Sequence, residues 1–149
     1  MLITTICYIV QDKKVLMLHR TKKAHDMNEG KWIGVGGKLI EGESPRECII
    51  RETKEETGLD LINFDLRSIV TFDFAKYDQE LMFVYVADKV RGQITECNEG
   101  DLKWIALEDF DQLNLWDGDR YFLKHIFNHC DIQELKLVYD IDNHLISHE

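Results

Sequence analysis

The chain predicts a mixed α/β domain, and three observations carry that prediction. Runs rich in β-branched and aromatic residues recur at Leu2–Val10, Val15–His19, Leu66–Phe74 and Glu80–Val90. Between the second and third stands a segment with helix signals at both ends, Ser44 to Gly58. The 149 residues are 44% apolar, with one proline and no low-complexity run, which suits one core and leaves little room for a second. One domain is therefore expected over residues 1–149, with no linker and no internal repeat.

Taken in order, Leu2–Val10 and Val15–His19 read as strands around an Asp12-Lys13-Lys14 turn. The apolar start MLITTICYIV lacks a basic leader and a cleavage site and is too short to span a bilayer, so it reads as the first strand. Arg20–Val35 is a long polar loop carrying Arg20, Lys22, Lys23 and Lys31. Ser44 then makes a good N-cap, Pro45 suits the first helical position, and Glu47 completes an S-x-x-E capping box. Gly58 supplies the left-handed stop. Strands follow at Leu66–Phe74 and Glu80–Val90, turning near Tyr77-Asp78-Gln79, and at Leu102–Ala106 with Trp104. A short helix near Leu107–Leu113 precedes a longer one from about Asp119 to His129, whose apolar seam is Phe122, Ile126 and Cys130. Leu135–Ile141 and His144–Ser147 form a terminal hairpin around Asp142-Asn143.

Charge and cysteines bound the function classes. A net charge of −10 argues against general affinity for nucleic acid or anionic membranes. Cys7, Cys48, Cys97 and Cys130 form no C-x-x-C pair and read as buried or semi-buried thiols of a reducing cytosol, hence a cytoplasmic protein. His125 and His129 have the i,i+4 spacing of metal ligands, but no H-E-x-x-H or third ligand accompanies them, which favours a partly exposed histidine face. A monomer and a homodimer both remain open.

The capped helix is the most informative segment. At roughly 100° per residue, Glu55 and Glu56 fall about 60° and 40° to either side of Glu52, so three carboxylates share one face. Arg51 borders that face, and Ile49, Ile50 and Thr53 occupy a sector that can pack on a sheet. Like charges at helical spacing cost about 0.2–0.5 kcal/mol per pair. Glu55 and Glu56 also lie in the last turn, where the helix dipole disfavours anions. A hard divalent cation reverses both penalties, because carboxylate oxygen is its preferred ligand. Glu47 and Lys54, on the far side, are ordinary solvated charges.

The run GGKLIEGESPRECIIRETKEETGL resembles the Nudix hydrolase signature, G-x5-E-x7-R-E-U-x-E-E-x-G-U with U a bulky apolar residue. Gly37, Glu43, Arg51, Glu52, Glu55, Glu56, Gly58 and Leu59 match position by position, and Thr53 departs at the first U. The resemblance implies an α/β/α sandwich with a central mixed sheet. It also implies hydrolysis of a nucleoside diphosphate linked to another moiety, with Mg²⁺ as cofactor and Mn²⁺ as substitute. Carried over by position, Glu52, Glu55 and Glu56 face the metal with the Gly37 carbonyl, Arg51 braces a glutamate, and Glu43 supports the loop–helix geometry. Glu99, in ECNEGDLKW, is the candidate for a later-loop general base, with Glu96 the weaker choice and an ordinary loop carboxylate the alternative.

Substrate class is implied by two further stretches. NEGKWIGVGGKLIEGES and LWDGDRYF resemble the MutT-like branch that hydrolyses oxidised purine nucleoside triphosphates such as 8-oxo-dGTP, the enzymes of nucleotide-pool sanitation and DNA repair. Trp116 and Asp119 match positions that stack on the base and bond its edge, the alternative for Trp116 being a packing residue at a helix entrance. Ile33 stands where some relatives place asparagine, and Gly118 where some place a second aspartate. Arg20, Lys22, Lys23 and Lys38 all admit a reading as solvated surface charges, and Lys23 and Lys38 are the cations expected near the triphosphate. Two alternatives stand beside this substrate: another nucleoside diphosphate-linked molecule (a dinucleoside polyphosphate, a nucleotide sugar or a pterin triphosphate), or a catalytically silent nucleotide sensor. Retention of Arg51, Glu52, Glu55 and Glu56 counts against the sensor.

Overall fold

The computed structural model of the chain describes residues 1–22 and 26–149. The first two strands, β1 (Leu2–Gln11) and β2 (Lys14–Arg20), pair so that Val10 faces Val15 and Gln11 faces Lys14. That register leaves Asp12 and Lys13 as a two-residue turn with φ of 52° and 61°. A positive φ at both central residues gives the turn whose twist matches the flanking strands. The expected loop from Arg20 to Val35 is instead interrupted by β3 (Trp32–Ile33), and β4 (Val35–Lys38) begins at its last residue. Both strands are too short to show a period, and pairing with β2 and β1 creates them.

Helix α1 (Pro45–Thr57) has its predicted ends. The Ser44 side chain accepts from the Glu47 backbone, the Glu47 side chain accepts in return, and Gly58 closes the helix at φ 81°. Strand β5 (Asp60–Phe74) starts six residues before the expected Leu66 and pairs along its length with β6 (Glu80–Arg91). Residues 60–65 are polar enough to hide a strand, but Leu61 and Phe64 are buried. Strand β7 (Gly100–Ala106) leads through a 3-10 turn at Leu107–Gln112 to α2 (Asp119–Asn128), and β8 (Gln133–Tyr139) and β9 (Leu145–His148) close the chain.

Among the described residues the sheet runs β3-β2-β1-β6-β5-β8-β9, with β4 on β1 and β7 on β2. The β1–β6 and β5–β8 pairs are parallel and the rest antiparallel, so the sheet is mixed. Alternation along β1 sends Ile6 and Tyr8 to a core with Phe122, Leu123 and Ile126 of α2. It sends Cys7 and Ile9 to a second core with Ile49 of α1. The two helices thus cover opposite faces, and the expected α/β/α sandwich is the observed one. No helix among the described residues is long and apolar enough to cross a membrane.

Two packing expectations are corrected. Ile50 is exposed, because the buried sector of α1 is Cys48, Ile49, Thr53, Glu56 and Thr57. Cys130 is exposed as well, since α2 ends at Asn128 and leaves it beyond the helix.

Candidate active site

The glycine-rich end of β4 lies against the first half of the acidic face. A Cβ at Gly37 would collide with the Glu52 carboxylate, so only glycine lets that side chain fold back onto the strand. Arg51 braces the region. Its guanidinium donates to both oxygens of Glu43 at 2.7 and 3.1 Å, to Glu52 at 2.8 Å, to Glu55 at 3.2 Å and to the Lys38 carbonyl at 3.2 Å. The backbone of Ile40 also donates to Glu43 at 2.8 Å. The Arg51 guanidinium, followed by that backbone bond, holds the Glu43 carboxyl at about 2, well below the ordinary range.

The three helix carboxylates are not equivalent. Glu56 lies in the buried stripe of α1 with Ile49 and Thr53, Glu52 sits at its border, and Glu55 points outward to the brace. Glu56 accepts from the Gly36 backbone at 2.7 Å. Burial, then the adjacent Glu99 carboxylate, push its pKa far above the ordinary range. Burial also raises Glu52, with Arg51 opposing. Glu99 is reached by Arg20 at 3.2 Å, and Arg20 pairs with Asp26 at 2.8 Å. Arg20 is thus buried, contrary to its reading as a solvated charge, because a salt bridge to each side anchors it under the loop.

The donor set fits a hard divalent cation. Glu43, Glu52, Glu55, Glu56, Glu99 and Asp26 stand beside only two guanidinium groups, and the neighbouring carboxylates of Glu56 and Glu99 oppose each other's charge unless a proton or a cation offsets it. All offered atoms are oxygens, the ligand type such ions prefer. A tighter trio of ligand atoms, Asp140, Asp142 and His144 within 4.8 Å of one another, lies at the exposed β8–β9 turn. Its arrangement has a local cause, since Asp140 accepts backbone N–H groups of Asp142 and His144 at 2.9 Å each.

From the acidic cluster a cavity of about 570 Å³ runs to a recess between the sheet and α2. Lys38 lines it on the cluster side, and Trp116 and Asp119 line the recess; Lys23 lies outside the described residues. Trp116 is buried, donates from Nε1 to Asn28 Oδ1 at 2.8 Å, and packs edge-on against Tyr139 with 5.3 Å between rings. Asp119 opens α2 and is 5% exposed; burial, then nearby Glu80, push its carboxyl up to about 8. Ile33 lines the same cavity. Gly118 does not, because a Cβ there would meet Tyr139 and Leu137. His125 and His129 stack on each other 5.1 Å apart on the other side of α2, outside the cavity lining.

Sequence reasoning missed Asp26, Asn28, Phe72, Phe74, Glu80 and Met82, all of which line this cavity. Only Glu80 carried a legible signal, an acid in step with Met82 and Val84 on the apolar face of a strand.

The profile of the NUDIX domain matches residues 2–126. A Bacillus subtilis protein described as an uncharacterized Nudix hydrolase, YvcI, is 37% identical over 124 residues, 80% of this chain and 75% of that one. The mouse oxidized purine nucleoside triphosphate hydrolase is 32% identical over 120 residues, 79% of this chain and 74% of its own. The crystal structure of a MutT protein from Bacillus halodurans superimposes with a TM-score of 0.90 at 27% identity, covering 100% of this chain and 97% of that one. The match spans the glycine-rich strand, the acidic helix and both walls of the cavity, and the chain belongs to the Nudix hydrolase family.

Proposed function

We propose that this protein is a divalent-metal-dependent pyrophosphohydrolase of purine nucleoside triphosphates, oxidised ones such as 8-oxo-dGTP included, releasing the monophosphate and pyrophosphate. The observation that carries this reading is the continuity of the cavity. One volume of about 570 Å³, within the range of small-molecule sites, joins the carboxylate cluster to a recess walled by an indole and a buried acid. A triphosphate at the cluster would leave its base in that recess. The relationship to the mouse enzyme supports the oxidised-purine class.

In this reading Glu52, Glu55, Glu56 and the Gly37 carbonyl hold Mg²⁺, for which Mn²⁺ substitutes. When bound, the ion supplies charge neutralisation at the phosphates and acidifies water. Arg51, tied to Glu43, keeps Glu52 and Glu55 in place through charge-assisted bonds. Glu99 accepts the proton of the attacking water, positioned by Arg20 and set against Glu56. Lys38 meets the phosphates at the mouth of the cavity. Trp116 and Asp119 hold the base.

The test is a nucleotide panel with Mg²⁺, scored for pyrophosphate against orthophosphate release. Purine triphosphates should give pyrophosphate with oxidised guanine favoured, and hydrolysis should stop in excess chelator. Orthophosphate as the only inorganic product, or undiminished turnover in chelator, would overturn the reading.

A further inference from the structure

The recess contains a second acid, and it is half-buried. Glu80 is the first residue of β6, paired with Leu2 on β1 and Phe72 on β5. Its side chain points to the face that carries Met82, Phe72 and Ile6, an apolar floor on which a carboxylate is out of place. The Thr4 hydroxyl donates to Glu80 Oε2 at 2.6 Å. Oε1 has no protein hydrogen bond among the described residues, and it is not sealed off, since it is absent from the buried unpartnered atoms. Half of this carboxylate is therefore presented to the cavity.

A purely structural role does not account for it. An apolar side chain would cover Phe72 and Met82 without desolvating a charge, and Thr4 satisfies only one of two oxygens. Glu80 also stands near enough to Asp119 to oppose its ionisation. The two acids come from opposite walls, β6 below and α2 above, and line one recess. The N-cap of α2, Gly118, carries no acid; Tyr139 Oη sits 2.6 Å from where a Cβ would be and accepts the Gly118 backbone N–H at 2.7 Å, so a side chain there would have to displace Tyr139 and Leu137.

We propose that Glu80 is a second base-reading residue of this cavity, held by Thr4 and opposed to Asp119, and that the pair selects bases offering N–H donors on two separate edges. This rests on the nucleotide-hydrolase reading. A base with a single donor edge leaves one of the two acids unpaired, and the penalty falls on an acid that water reaches poorly. Thr4 is a positioning residue, acting through Glu80.

The experiment is calorimetric binding of nucleoside monophosphates to the whole protein in chelator, so that neither metal nor turnover enters the readout. Guanosine and inosine monophosphates differ by the 2-amino group; adenosine and purine riboside monophosphates differ by the 6-amino group. The wild type is expected to prefer the amino-bearing member of at least one pair by about tenfold, the scale of a hydrogen-bonding site left unpaired. Glu80→Leu should bring that ratio to about unity, and Glu80→Gln, which keeps an oxygen for Thr4 but loses the charge, to an intermediate value. Thr4→Val should reduce it in the same direction. Thermal unfolding checks that each variant is folded, and Glu80→Gln carries the test if Glu80→Leu is not. If the wild type binds none of the four, the nucleotide reading itself fails. If the wild type binds but shows no preference, or if the folded Glu80 variants keep its ratios, only the assignment of Glu80 is overturned.

Discussion

The two ends of the cavity handle buried charge in opposite ways. At the cluster, Arg51 touches three carboxylates and Arg20 two, so most acids there have a fixed cationic partner. At the recess, Asp119 has no side-chain hydrogen bond among the described residues, Glu80 has only a hydroxyl, and Trp116 is locked by Asn28. Lys31 reaches the outer side of the Trp116 ring, 5.4 Å from its centre. The braced end suits a job that is the same for every substrate. The unbraced end has free acceptors, which is what a site needs if its ligand supplies the donors.

The comparison breaks most readily at Glu56. If the cluster does the metal chemistry and the recess only chooses the base, Glu56→Gln should lower turnover at least ~10²-fold, the scale seen when one electrostatic stabiliser is lost. The ratio between oxidised and normal guanine triphosphates should not move. A change in that ratio would mean that the two ends are not separate. Arg51→Lys is the next largest effect. A lysine cannot bond both oxygens of Glu43 while reaching Glu52, so metal affinity should fall about 10–100-fold. The readout is the Mg²⁺ concentration needed to raise the unfolding midpoint. An unchanged Mg²⁺ response would show that the brace does not set the carboxylates.

How much of each end was legible in the sequence follows the same division. Helix α1 could be read to the residue because Ser44, Pro45, Glu47 and Gly58 act within a few positions of themselves. Helical angles also placed Glu52, Glu55 and Glu56 near one another. They did not say that Glu56 would be buried and Glu55 exposed, because that depends on where the sheet lies. The recess is assembled from Thr4, Phe72, Glu80, Trp116 and Asp119, which come together only through β1–β6 and β5–β6 pairing and the docking of α2. Trp116 and Asp119 were found by resemblance alone. The burial of Arg20 was invisible because Asp26 and Glu99 reach it from a loop and from the entry to β7.

Asp119 sharpens the contrast through pH. Its folded pKa, up at about 8 against an ordinary 3.8, means that the folded protein holds a proton there that the unfolded chain has already released. Stability from this group is complete at low pH and is lost as pH rises from about 4 through 8, at no more than about 1.4 kcal/mol per pH unit. Asp119→Asn, which resembles the protonated form and never ionises, should flatten that decline. Difference curves of unfolding free energy between pH 5 and 9 are the measurement, and parallel curves would mean that burial does not hold a proton on Asp119 in the folded protein. Asp119→Ala, which removes the hydrogen-bonding group altogether, should change the oxidised-to-normal guanine ratio about tenfold, with the Mg²⁺ requirement intact.

Ile33 offers the smallest expected effect and the finest test of how the recess reads a base. It lines the cavity from β3, a strand of two residues held by Leu18 and His19 of β2, so its backbone position is set independently of its side chain. Ile33→Asn would put a second amide, beside Asn28, into a lining that carries the carboxylates of Asp26, Glu52, Glu80, Glu99 and Asp119, adding a group that can donate to a ring nitrogen or carbonyl and accept from an amine. The substitution removes a partly buried apolar contact and should cost stability by about 1 kcal/mol, the central value for single substitutions. Selectivity should rise by a few-fold, since a single neutral hydrogen bond is worth about 0.5–1.5 kcal/mol net. The gain should appear as a lower KM for the preferred base with kcat nearly constant, because binding at the recess is made equally in ground and transition states. A fall in kcat instead, at unchanged KM, would show that the base end reaches into the chemistry at the cluster, and the division of labour along the cavity would have to be given up.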